Sequence, residues 1–124
     1  MTDASPRILV VDDEFLIAQG LSLQVEDMGY EVCGTAATAD EAVALSRTFH
    51  PAVVLMDMRL RGEKDGVDAA LAIHETVGAK VIFITGSRED ATLARINTSH
   101  PAGILFKPVL DAQLKGAIEA ALGV

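Results

Sequence analysis

Val53-Val54-Leu55-Met56-Asp57 (VVLMD, residues 53–57) is a run of four apolar residues closed by an acid. A continuous, β-branched run this short reads as a strand covered on both faces, as inside a parallel sheet. ILVV at 8–11 and VIFI at 81–84 have the same character. Weaker apolar segments lie near residues 31–35 and 103–106. Five strands are therefore expected, at Arg7–Val11, Glu31–Thr35, Val53–Asp57, Lys80–Thr85 and Gly103–Phe106.

Helical patterns fill the gaps. Ile17, Leu21, Val25 and Met28 recur at helical spacing, and Gly29 follows as a stop. Thr38 and Glu41 have capping-box spacing ahead of Ala42, Leu45 and Phe49, and Pro51 closes that segment. Val67, Leu71 and His74 form a stripe flanked by Ala70 and Ile73. Ser87 with Asp90 offers a cap before Leu93 and Ile96, and Asp111 offers one before Leu114, Ile118 and Leu122. Strict βα alternation, five times over, argues an α/β domain with a parallel sheet and helices on both faces.

The 124 residues suit one domain with one interior. Half are hydrophobic but only 4% are aromatic, so the core is aliphatic and Ala-rich. A net charge of −8 argues against a nucleic-acid or anionic-membrane surface, which needs clustered Lys and Arg. Cys33 is alone, so there is no intrachain disulfide and no Cys-based metal cage. A small core residue is the better reading of it than a reactive thiol. His50, His74 and His100 show no ligand spacing. No apolar run approaches a membrane span, and MTDASPR at the start lacks signal-peptide order. A cytoplasmic location is expected.

In open α/β sheets, ligands collect beyond the carboxyl ends of the strands. Strand one ends in Asp12-Asp13-Glu14, strand three in Asp57, strand four in Thr85-Gly86-Ser87 and strand five in Lys107-Pro108. A parallel sheet brings these acids, a hydroxyl and an ammonium to one edge. Each has a plainer role: Asp12 or Asp13 as a helix cap, Asp57 or Thr85 as a turn former, Lys107 as a solvated end-of-strand lysine. Four coincidences at four strand ends weigh against the plainer roles. Clustered carboxylates repel unless a cation compensates them. Mg2+ suits a few carboxylates plus water, and it lets an anionic phosphoryl group approach them. Asp57 can then act as a carboxylate nucleophile, with Thr85 and Lys107 on the phosphoryl oxygens.

The stretches ILVVDDE (8–14), VVLMDMRL (53–60), Asp65-Gly66, VIFITGS (81–87) and ILFKP (104–108) resemble the receiver domain of bacterial two-component response regulators, here of the single-domain type. The resemblance spans essentially the whole chain, so residues 1–124 are expected to form one receiver domain. It implies a (βα)5 doubly wound, five-stranded parallel sheet in the flavodoxin-like order 2-1-3-4-5. It also implies that Asp57 takes a phosphoryl group from a histidine kinase or histidine phosphotransferase. Asp13, Asp57 and the backbone carbonyl of Arg59 would ligate Mg2+, with Asp12 acting largely through water. Thr85 and Lys107 would contact the phosphoryl group, and the Lys107–Pro108 bond would be cis. The chain would then be a phosphoacceptor switch rather than an enzyme. It would act on a protein target through the helix 4–strand 5–helix 5 face, and on neither nucleic acid nor membrane.

One position departs from the pattern. Many receivers carry an aromatic residue three positions before the lysine, where this chain has Ile104; Phe106 lies two residues on, on the same strand face. Ile104 is stiff at χ1 and has no hydroxyl, so signalling is expected to run through the Gly86–Asp90 loop and the helix after it. Three other functions compete. A nucleotide or flavin module needs a Gly- or Ser/Thr-rich anion cradle where this chain has Asp-Asp-Glu. An aspartate-nucleophile phosphohydrolase resembles proteins with Asp-x-Asp at strand one, where this chain has adjacent acids. A degenerate receiver acting only by protein contact would not need all five site residues. No output segment follows the fifth helix in these 124 residues, so partners are expected to carry the signal.

Overall fold

The computed structural model describes residues 6–124; most of the MTDASPR start lies outside the described residues. The order is β1 (Arg7–Val11), α1 (Phe15–Asp27), β2 (Glu31–Ala36), α2 (Ala39–Phe49), β3 (Val53–Met56), α3 (Gly66–Thr76), β4 (Lys80–Thr85), α4 (Asp90–Asn97), β5 (Gly103–Phe106) and α5 (Asp111–Leu122). All strand pairs are parallel, in the order β2-β1-β3-β4-β5. This is the doubly wound α/β sheet expected above.

Burial follows position in the sheet. β3 is buried throughout, and β1 and β4 are buried after their first residue. The outer strands are only partly covered; every residue of β5 is half-buried. Two apolar layers result. One joins Leu9, Val54, Met56 and Phe83 to Val67, Ile73 and Ile96. The other joins Ile8, Leu55, Ile82 and Ile84 to Leu21, Val25, Leu114 and Ile118. Cys33 packs against the first layer; burial raises its thiol pKa, as befits a core residue. Among the described residues, no helix is long and apolar enough to cross a membrane.

Several helix details differ from the sequence reading. The buried side of α3 is Val67, Ala70 and Ile73, whereas Leu71 and His74 are exposed, because the sheet lies under the other edge of that stripe. Thr38 caps α2 through the Glu41 amide, but the Glu41 carboxylate returns to the Ala37 amide, one residue before the cap. The cap position of α4 is Glu89, and that of α5 is Leu110. Asp111 lies inside the first turn of α5 and accepts a 2.7 Å bond from Gln24 on α1.

A capping box formed by Asp65 and Asp68 opens α3. Arg95 of α4 holds Asp65 with two bonds, at 2.7 and 2.9 Å, and reaches Asp68 at 3.2 Å. Burial works to raise the Asp65 pKa, but the bonds from Arg95 and from the Asp68 amide prevail and hold it below the ordinary value. Its stabilisation is therefore complete above the unfolded-state value of about 4 and is lost as pH falls through the lower folded value. Arg95→Ala should cost roughly 1 kcal/mol or less at neutral pH, since the pair is partly exposed. Urea unfolding at pH 7 and at pH 3 checks this: the gap between wild type and variant should narrow in acid.

Candidate functional site

The parallel sheet delivers the ends of β1, β3, β4 and β5 to one edge, and the side chains there meet. Asp12 and Asp57 are buried and Asp13 is half-buried. One carboxylate oxygen from each of the three lies within 4.8 Å of the others. Lys107, arriving from the far side, places its Nζ 3.0 Å from Asp12 Oδ2 and 3.4 Å from Asp57 Oδ1. The Lys107–Pro108 bond is cis.

Local bonds fix each carboxylate. Asp12 Oδ1 accepts from the Glu14 amide at 2.9 Å, and Asp57 Oδ1 accepts from the Met58 amide at 2.9 Å. Arg61 donates to the Asp13 carbonyl at 3.2 Å, pinning the acidic loop from outside. Beneath β3, Gly66 donates to the Met58 carbonyl at 2.8 Å and lies hard against the Asp57 backbone. Sequence reasoning noted Asp65-Gly66 as a motif but not this close approach. It missed Arg61 altogether, since nothing local marks a residue whose partner is 48 positions away.

The electrostatics follow from the crowding. Burial, and then the neighbouring Asp12 charge, push the Asp57 carboxyl up to about 6, against the pull of Lys107. Burial opposes the Lys107 charge, yet Asp12 and Asp57 together hold its pKa above the ordinary lysine value. Oxygen donors gathered this closely, with carboxylate charge only partly offset by one ammonium, fit a small hard cation.

These groups open onto a cavity of about 650 Å³ lined by Asp13, Asp57, Met58, Arg59, Thr85, Gly86, Ser87, Glu89, Thr92 and Lys107, among others. Arg59, expected near the acids, is on this wall. Thr85 is buried at the end of β4, and its Oγ1 accepts from the Ser87 amide at 3.1 Å. The structure thus brings together all the residues singled out from the strand ends.

The response regulator receiver domain model matches residues 8–119. The chain belongs to this family. The receiver is 35% identical over 121 residues to the phyllosphere-induced regulator PhyR of Methylorubrum extorquens, covering 97% of this chain and 45% of that protein. It is 32% identical over 116 residues to the transcriptional regulatory protein PdtaR of Mycobacterium tuberculosis, covering 94% of this chain and 56% of that one. The receiver thus spans about half the length of these relatives. Among solved structures it superposes on the signal receiver domain of a modulated diguanylate cyclase from Desulfovibrio desulfuricans with a TM-score of 0.91 and 36% identity, covering 98% and 95% of the two chains. A CheY-like response regulator receiver domain protein from Methanospirillum hungatei gives 0.87 and 28%, covering 97% and 95%. Receiver domains are phosphoacceptor switches of two-component signalling, and they bind Mg2+ at an acidic pocket such as the one formed by Asp12, Asp13 and Asp57.

Proposed function

We propose that residues 1–124 act as one receiver unit in the cytoplasm and that Asp57 is its phosphoacceptor. A histidine kinase or histidine phosphotransferase would supply the phosphoryl group, and a protein target would read the result. The observation that carries this reading is the site itself: a buried carboxylate at the end of the central strand, 3.4 Å from a lysine ammonium, at the wall of an open cavity. In the transfer, an Asp57 oxygen forms a bond to phosphorus as the donor's P–N bond breaks, and the imidazole nitrogen leaves with the bonding pair.

Asp13, Asp57 and the Arg59 carbonyl are the proposed Mg2+ ligands, with Asp12 acting through water. Bound there, Mg2+ screens the carboxylates from the incoming anion and neutralises charge on the phosphoryl oxygens. Lys107 offers positive charge to those oxygens, and Thr85 offers a hydroxyl hydrogen. Before transfer Lys107 is shared between Asp12 and Asp57, and the Thr85 hydroxyl faces the Ser87 carbonyl at 3.5 Å. Phosphorylation would give the Lys107 ammonium and the Thr85 hydroxyl hydrogen a new acceptor, and the face formed by α4, β5 and α5 would carry the change to the target.

Labelling by a small phosphodonor such as acetyl phosphate tests the mechanism. It should occur with Mg2+ and fail in chelator. Asp13→Ala should weaken Mg2+ binding more than Asp12→Ala does, because Asp12 already has Lys107 as its counter-charge. Labelling that ignores chelator would contradict the metal's role.

A further inference from the structure

We infer that Thr92 on α4 is a positioning residue that couples the phosphoacceptor site to that helix through the Ser87 hydroxyl. The inference rests on the reading of Asp57 as phosphoacceptor, and it identifies the bonds by which this chain moves α4.

Three hydrogen bonds make the link. Thr85 Oγ1 accepts from the Ser87 amide at 3.1 Å. Ser87 Oγ accepts from the Glu89 amide at 3.2 Å and donates to Thr92 Oγ1 at 3.3 Å. Glu89 occupies the cap position of α4 but makes no side-chain cap bond there. The entry to the helix is therefore held by Ser87, two residues upstream of its own cap. Thr92, in the first turn, faces the same cavity as Asp57 and Lys107.

The rest of α4 offers little resistance. Ile96 is its one fully buried residue, and its other firm attachment is the surface contact of Arg95 with Asp65 and Asp68. Polar ties at the first turn therefore weigh heavily in where the helix sits. If the Thr85 hydroxyl turns toward a phosphoryl oxygen on Asp57, it keeps the Ser87 amide only if Ser87 follows. Ser87 Oγ then carries the Glu89 amide and Thr92 along. Beside it, Arg88 stacks over the Phe106 ring at 4.0 Å, so the same loop displacement is felt on β5. Ile104 packs against the layer that contains Phe83 and Ile96 and has no polar group with which to form a parallel route.

The test is backbone amide NMR of the full chain with Mg2+, before and after adding beryllium fluoride as the phosphoryl analogue. In the wild type, resonances of Met58, Gly86 and Ser87 should shift together with those of Asp90–Asn97. In Thr92→Val, Met58 and Gly86 should still respond as in the wild type while the α4 response is largely lost. Thr92→Ser should restore it. Ser87→Ala breaks the same link from the other side and should uncouple α4 in the same way, with melting curves confirming that both variants are folded. An undiminished α4 response in Thr92→Val or in Ser87→Ala would overturn the inference. Absence of any shift at Met58 and Gly86 in the wild type would instead overturn the phosphoacceptor reading, and the coupling would fall with it.

Discussion

Asp57→Asn should yield a folded protein that takes no label from a competent kinase or from acetyl phosphate. The amide keeps the size and the acceptor oxygen that meets the Met58 N–H, but it offers no anionic oxygen to attack phosphorus. Asp12 and Asp13 stand nearby, yet neither is expected to substitute. Asp12 has both oxygens bonded, to the Glu14 amide and to Lys107, and does not line the cavity, and Asp13 is half-exposed at the mouth of the site. The substitution should not unfold the domain. Burial and the Asp12 charge disfavour ionised Asp57 more than Lys107 favours it, so removing the charge relieves the metal-free fold. The expected pattern is complete loss of label, a melting temperature in chelator no lower than wild type, and loss of most stabilisation by Mg2+. Full labelling of the variant would show that the acceptor lies elsewhere.

Gly66→Ala should be the most damaging alanine substitution among the glycines. A Cβ at that position would sit 2.1 Å from the Asp57 carbonyl oxygen and 3.0 Å from Met56 Cγ. The first contact is with backbone, so no side-chain rotation relieves it. β3 and the start of α3 must separate, weakening the 2.8 Å bond between Gly66 N and the Met58 carbonyl. A cost of about 1–3 kcal/mol or more is expected from such overpacking. The displaced strand end carries Asp57, so Mg2+ affinity should fall along with stability. Gly20 and Gly116 serve as controls. Both lie within helices and have nothing within 4 Å of an added Cβ, so alanine there should stabilise by roughly 0.5–1 kcal/mol. Denaturant melts of the three variants would decide it, and a wild-type midpoint for Gly66→Ala would refute the steric argument.

The sequence was most readable where burial is most complete. β1, β3 and β4 announce themselves because each carries a run of four buried apolar residues covered on both faces. β2 and β5 are edge strands with partly covered residues, and their weaker pattern reflects that position rather than a lower β content. The site was legible for a related reason: its acids, hydroxyl and ammonium each stand at or just past the end of a strand, and a parallel sheet sends all those ends the same way. What could not be read depends on the paths of loops. Ser87 looked like a cap for α4, and it does anchor that entry, but through the Glu89 amide and Thr92 rather than as the cap residue. Asp111 looked like a cap and instead ties α5 to α1 through Gln24. Arg95 meets Asp65 and Asp68 across about thirty residues, a pairing that no local pattern encodes.

The half-covered state of β5 also bears on how such a domain diversifies. A cavity costs most where the surroundings close over it on all sides, as they do around β3. On β5 every residue is only partly covered, so trimming or enlarging a side chain there displaces fewer neighbours. Substitutions along Gly103–Phe106 are thus thermodynamically cheap beside those a strand or two inward. The strand that borders the outer surface can accumulate changes in shape and polarity while the interior that aligns Asp12, Asp57 and Thr85 stays constant. Recognition can drift in this way without the chemistry drifting with it.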